Sequence, residues 1–260
     1  QVSGLVFLAA LIFYVLWMRG FDPGEGMGAY LIARNWIQSG TLGSLTKIWH
    51  WQTLGIDGLY YDAHDSGSSI AMLPFAYLQA TLALALPKFE GLNYPFAGLW
   101  ASLVAAGTIW GEYSLLRALG IARARAMGVS AALCCGTQLW TYSRDTNDVL
   151  LVAFWYVWAA YHVVRNHSRP NFKSLAAATA CLGGAILTRT PAVIGLPVLG
   201  FSILAIYPKA RERLRALALV TIVLLPFALW QLRFNYLRGG NPLLPAIATA
   251  KYNGGLAFEY

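Results

Sequence analysis

The sequence predicts an all-α integral membrane protein with seven spanning helices and juxtamembrane helices in its first external loop. Three observations carry this reading. Of 260 residues, 58% are hydrophobic and only 12% charged, against roughly 25% charged in soluble domains, and the mean hydropathy is +0.53. The apolar residues collect in runs close to the roughly 20 residues that a helix needs to cross a bilayer. The basic residues gather in short linkers between those runs, as they do in cytoplasmic loops.

Apolar runs lie at 2–18, 70–87, 95–116, 126–142, 149–164, 174–187, 191–207 and 216–232. The basic linkers hold Arg117, Arg123 and Arg125; Arg165, Arg169 and Lys173; and Lys209, Arg211, Arg213 and Arg215. Two runs separate each consecutive pair, so all three linkers share the cytoplasmic face, and the linkers 143–148, 188–190 and 233–260 share the external one. If every run crossed, an N-terminus starting inside would put the linker 117–125 outside. One run therefore stays on one side, and 70–87, with Pro74 and Gln79, is the weakest; it reads as a juxtamembrane or re-entrant helix. A net charge of +8 placed in these linkers suits lipid headgroups rather than nucleic acid, and no nucleic-acid partner is expected.

The elements follow in order. Residues 2–18 read as the first spanning helix rather than a signal peptide, because Met18-Arg19-Gly20 leads into an acidic loop without a small-residue cleavage site. Residues 19–94 form the external loop, in which 28–38 have helical apolar spacing with Tyr30 and Trp36, and Trp49 and Trp51 add interfacial anchors. Six more spanning helices fill 95–232. The tail 233–260 is external and stops in a polar loop that follows Pro245, as a truncated chain would, and 1–260 is taken as a single membrane domain. Cys134, Cys135 and Cys181 lie in apolar runs and read as small core residues, without a disulfide framework or a zinc site.

Four polar constellations converge on the external face under this topology. Asp22-Pro-Gly-Glu25 offers a carboxylate that can act as general base toward a hydroxyl, or can simply be solvated. Between Asp57 and Gly67, the segment carries Asp57, Tyr60, Tyr61, Asp62, His64 and Asp65. It is either a polar cap or a surface for acceptor and phosphate, through Tyr61 and His64; His64 and Asp62 also have the chemistry of metal ligands, without diagnostic spacing. In Ser143-Arg-Asp-Thr-Asn-Asp148, Asp145 and Asp148 can hold a divalent cation, Mg or Mn, with Arg144 as counter-charge, or cap the next helix. Arg189, Arg233 and Arg238, at the membrane boundary, can clamp a lipid phosphate or snorkel.

In this arrangement the chain resembles the polytopic GT-C glycosyltransferases that use lipid-linked sugars, including the protein mannosyltransferase-like and aminoarabinose transferase-like members. The resemblance extends over nearly the whole chain. It rests on the acidic residue after the first helix with Tyr30-Leu-Ile-Ala-Arg-Asn and Gly40; Asp57-Gly-Leu-Tyr-Tyr with Gly67 and Leu73-Pro74; Tyr142-Ser-Arg; Leu187-Thr-Arg189; and Phe234-Asn-Tyr-Leu-Arg-Gly-Gly-Asn-Pro242. It implies a seven-helix module whose first external loop carries the catalytic base, here Asp22 or Glu25, and whose second carries acidic residues, here Asp145 and Asp148. Many relatives have an adjacent Asp-Glu pair where this chain has Asp22-Pro-Gly-Glu25.

The expected activity is transfer of a sugar from a polyprenyl-phosphate donor to an acceptor at the external, periplasmic face of a bacterial inner membrane. Tyr61, Asp62, His64, Asp65, Arg144, Arg189, Arg233 and Arg238 form the expected substrate surface. A divalent cation is an optional partner. The alternative expectation is a non-catalytic membrane subunit that packs in a larger complex. A transporter is disfavoured, since ionisable residues such as Glu112 and His162 sit near the ends of their runs.

Overall fold

A computed structural model describes residues 2–18, 25–48, 52–62, 64–86, 93–143 and 148–243. Each apolar run forms helix: α1 (Val2–Leu16), α3 (Gly67–Ala85), α4 (Asn93–Ala118), α5 (Arg123–Gly136) with α6 (Gln138–Tyr142), α7 (Asp148–Ser168), α8 (Phe172–Thr188), α9 (Gly195–Ile206) and α10 (Ala210–Gly239). The interfacial segment forms α2 (Glu25–Ser39). Run 126–142 breaks after Gly136, where the Thr137 hydroxyl accepts from Leu139 N and caps α6. Run 191–207 opens with a 3-10 turn, Thr190–Ile194, in whose first turn Pro191 forfeits no hydrogen bond.

The all-α expectation needs one correction. An antiparallel hairpin, β1 (Gln52–Leu54) with β2 (Tyr60–Asp62), interrupts the first loop. Its turn is set by Gly58 at φ +79° and by Asp57, whose Oδ1 accepts from Leu59 N at 3.1 Å.

By length and composition, two helices, Gly67–Ala85 and Ala210–Gly239, are long and apolar enough to cross a membrane. The composition of α3 therefore gives no ground for calling it the weakest candidate. Its Gln79 does not interrupt the apolar surface, because it is buried and its Oε1 accepts from Tyr30 of α2 at 3.1 Å.

Contacts order the helix ends. Gly98, early in α4, lies against Met18 after α1, and Trp17 meets Trp140 of α6 edge-on at 6.3 Å. Helices α4 and α7 run side by side in the same direction, since Gly107 faces Phe154 and Gly111 faces Trp158. The α7–α8 linker meets the start of α10 at the other end, where the Tyr207 hydroxyl bonds Asn166 Oδ1 and the Tyr207 ring stacks on Phe172. The basic linkers thus gather at the end away from Asp62, Asp65 and Asp148.

Small residues let the helices close together. A Cβ at Gly184 of α8 would sit 2.7 Å from Trp155 Cε2 of α7, and one at Gly107 would sit 2.8 Å from Phe154 Cε2. Close backbone approach of this kind is how apolar helices associate without a hydrophobic drive between them. We expect Gly184→Val to cost about 1–3 kcal/mol by overpacking, read as a lower thermal midpoint in detergent. Gly128→Ala, with open space around it, is the control. Equal melting of the two variants would show that the α7–α8 approach does not depend on Gly184.

Candidate functional site

One end of the helix bundle collects the polar side chains. Gly67 starts α3 directly against the backbone of Leu187 and Thr188 at the end of α8, where a Cβ would have no room. That approach fixes Asp65, two residues earlier. Its Oδ2 accepts from the Thr190 amide at 2.6 Å and the Thr190 hydroxyl at 2.8 Å. Its Oδ1 accepts from Gln231 Nε2 at 2.9 Å and faces Arg238 Nη2 at 3.6 Å. One carboxylate therefore joins three elements that are far apart in sequence.

Arg238 is 2% exposed. Its Nη1 donates to the carbonyls of Asp62 at 3.1 Å and His64 at 2.7 Å, its Nη2 donates to Asn235 Oδ1 at 2.8 Å, and its guanidinium lies 4.4 Å from the Phe234 ring centroid. Arg238 therefore acts as a positioning residue for the 62–65 segment. The hairpin is pinned to the same helix end: Ile56 N donates to Leu237 O at 3.0 Å, and Tyr61 packs edge-on against Phe234. His64 Nδ1 lies 3.1 Å from Asp62 Oδ1. Burial, and then the hydrogen bond that Tyr61 donates to Asp57 Oδ2 at 2.6 Å, push the Tyr61 phenol well above its ordinary value.

Beside this network, Arg189 Nε pairs with Asp148 Oδ2 at 2.6 Å; the arginine side chain is 45% exposed and the aspartate 8%. Asp148 is the first residue of α7. The sequence places an expected cation at Asp145 and Asp148. Asp148 is turned toward an arginine, Asp145 lies outside the described residues, and no group of three His, Cys, Asp or Glu side chains able to hold a metal occurs among the described residues.

Two cavities flank the network. The first, about 630 Å³, is apolar and opens between α3, α4, α7, α8 and α10; Gly67, Phe75, Trp100, Phe154, Trp155 and Phe227 are among its lining. Gly67 and Leu187 form part of its wall, next in the chain to the polar residues above. The second, about 360 Å³, lies between α2, the hairpin and α10 and is lined by Trp36, Asp57, Tyr61, Trp230 and Arg233, among others. Trp36 and Trp230 stack with centroids 5.7 Å apart, and Trp230 Nε1 donates to Ser66 Oγ at 2.9 Å.

The structure brings Asp62, His64, Asp65 and Arg238 into one network, with the Asp148–Arg189 pair linked to it through the adjacent Thr190. It gives the three boundary arginines different partners: Arg189 has Asp148, Arg238 has the 62–65 segment, and Arg233 faces the second cavity. Asp22, Arg144 and Asp145, with Trp49 and Trp51 and the tail beyond Leu243, lie outside the described residues, and Glu25 is the first residue of α2. Cys134 is buried and its carbonyl accepts from Tyr14, Cys181 lines the apolar cavity, and Cys135 is exposed rather than in the core.

Sequence reasoning gave no role to Thr190 or Asn235, although both fall in the polar stretches it marked, and missed Gln231, Trp230 and the cavity role of Asp57. Gln231, Asn235 and Arg238 stand four and three residues apart, a polar stripe down an otherwise apolar helix, and that spacing is readable. Comparison with family models, with curated proteins and with solved structures found no match to this chain.

Proposed function

We propose that this chain is a membrane glycosyltransferase module that moves a sugar from a polyprenyl-phosphate donor to an acceptor at the external face. One observation carries the reading: an apolar cavity of about 630 Å³ whose wall at Gly67 and Leu187 continues into the polar network of Asp65, Thr190 and Arg189. A prenyl chain needs a dry apolar trough, and the phosphate at its head needs a cation at the mouth. Half-exposed Arg189 offers one, released from Asp148 as the phosphate arrives.

In the transfer, the acceptor oxygen forms a bond to the anomeric carbon while the bond from that carbon to the phosphate oxygen breaks, with inversion. The acceptor proton passes to Asp22 or Glu25, and the lipid phosphate leaves with the electron pair. Arg189 stabilises the charge that develops on it.

Seven crossings are the topology that suits this chemistry. The start of α4 lies beside Met18, at the end where α1 finishes. From Ala85 to Asn93 the chain has eight steps, a reach of at most about 29 Å even when fully extended, which falls short of a hydrocarbon core about 30 Å thick. An α3 that crossed could not hand the chain back to that start of α4, so α3 is read as staying on the external side. The basic linkers then face the cytoplasm together.

The test fills the trough. Ala71 lines it from α3, and tryptophan there takes the space of about four methylenes, worth about 0.8 kcal/mol each. We expect Ala71→Trp to lower kcat/KM for the lipid-linked donor about a hundredfold while thermal stability holds or rises. Unaltered donor use would sink the reading.

A second reading has its own observation. Asp57, Asp62, Asp65 and Asp148 each already hold a donor or a cation within the fold, as expected of a site kept for packing rather than turnover. A non-catalytic subunit of a larger membrane complex fits that pattern. Stoichiometric copurification with such a complex, together with no sugar transfer, selects it.

A further inference from the structure

The cavity between α2, the hairpin and α10 has a composition unlike that of the apolar trough. Its volume of about 360 Å³ sits at the small end of ligand pockets, which run from about 300 to 1,000 Å³. Two stacked indoles, Trp36 and Trp230, form part of its wall. Arg233 lines it and is exposed. Among the described residues Arg233 makes no hydrogen bond or ion pair, although Asp57 lines the same space. The two oxygens of Asp57 are taken up by the Tyr61 hydroxyl and the Leu59 amide, so the guanidinium is left available inside a walled cavity.

The geometry points to this cavity as the seat of an acidic sugar unit of the acceptor, a pyranose bearing a carboxylate or a phosphate. An indole face is electron-rich and receives the C–H face of a sugar ring. The planar guanidinium of Arg233 takes the acidic group by paired hydrogen bonds. Asp57 repels an anion, and the second lone pair that each of its oxygens keeps can accept from a ring hydroxyl, which orients the ring with its acidic edge toward Arg233. Assignment to the acceptor rests on the transfer reading above; binding of the sugar does not.

The experiment measures binding without any donor present. The full chain in phosphatidylcholine nanodiscs is titrated with methyl glucuronoside, glucose 6-phosphate and methyl glucoside. The glucuronoside or the sugar phosphate, or both, should bind about tenfold more tightly than the neutral glucoside, and which of them does identifies the acidic group. Arg233→Gln should erase that preference with the thermal midpoint unchanged, while Trp36→Ala should weaken all three sugars. Equal binding of acidic and neutral sugars by the parent protein overturns the proposal, as does a preference that survives Arg233→Gln. Loss of the preference when phosphatidylglycerol is added to the discs also overturns it, by assigning Arg233 to a lipid headgroup. Sugar binding that persists in a protein with no transfer activity sinks the transfer reading alone, and transfer without acid preference sinks this site alone.

Discussion

Alanine at both Asp22 and Glu25 is expected to lower sugar transfer by about 10²–10⁴-fold, the usual worth of a positioned general base. The acceptor hydroxyl is a poor nucleophile until its proton has somewhere to go. Asp57, Asp62, Asp65 and Asp148, the described carboxylates of the site end, are already engaged by donors or cations of the fold. The base is therefore sought in the short acidic segment from Asp22 to Glu25 that leads into α2. Helix α2 is held firmly, with Met27, Ala29, Tyr30 and Ala33 buried and the Tyr30 hydroxyl bonded to Gln79.

The single variants apportion the role. If one carboxylate is the base, its alanine variant alone reproduces the double variant and the other is near parent activity; if they share the work, each single variant loses part. The measurement is transfer of labelled sugar from a polyprenyl-phosphate donor in membranes carrying the protein. Parent-level turnover in the double variant would remove the base from this segment.

Arg238→Met is expected to cost about 3–5 kcal/mol, the range seen when one partner of a buried ion pair is removed and the other is left behind. Methionine fills most of the space but supplies no donor for the carbonyls of Asp62 and His64 or for Asn235. It also leaves the Asp65 carboxylate with only its neutral donors, Thr190 and Gln231. The thermal midpoint in detergent should fall accordingly. Adding Asp65→Asn to Arg238→Met should cost less than it does in the parent, since the charge it removes is the one left uncompensated. A midpoint within about 0.5 kcal/mol of the parent, the range of ordinary surface changes, would mean that Arg238 does not hold the 62–65 segment in place.

Much of the architecture was legible because apolar length is a strong signal. Each run marked in the sequence is largely helical over its described residues, two of them as paired helical pieces, and the interfacial segment 28–38 lies within α2. The break at Gly136 and Thr137 was not legible, since the hydrophobic pattern continues across it. The hairpin was missed because its strands have three residues each, too few for alternation to register. In the site, the crowding of Asp62, His64 and Asp65 before α3 marked a polar cluster that the structure does hold together, but not which partners it meets. Asp65 meets Thr190 across 125 positions and Gln231 across 166, and no local pattern encodes such meetings. The boundary arginines looked alike in sequence. Their separation into Arg189 with Asp148, Arg238 beneath the hairpin and Arg233 in a cavity depends on which face of its helix each occupies.

The long reach of Asp65 also sets a timetable for biosynthesis. The ribosome delivers this aspartate early, but Thr190 follows it much later, and Gln231 and Arg238 come last. Until α10 has been synthesised, the 62–65 segment has neither its guanidinium clamp nor the Gln231 donor. The pairing that closes this end of the bundle is therefore a late event, assembled over helices made earlier in the chain.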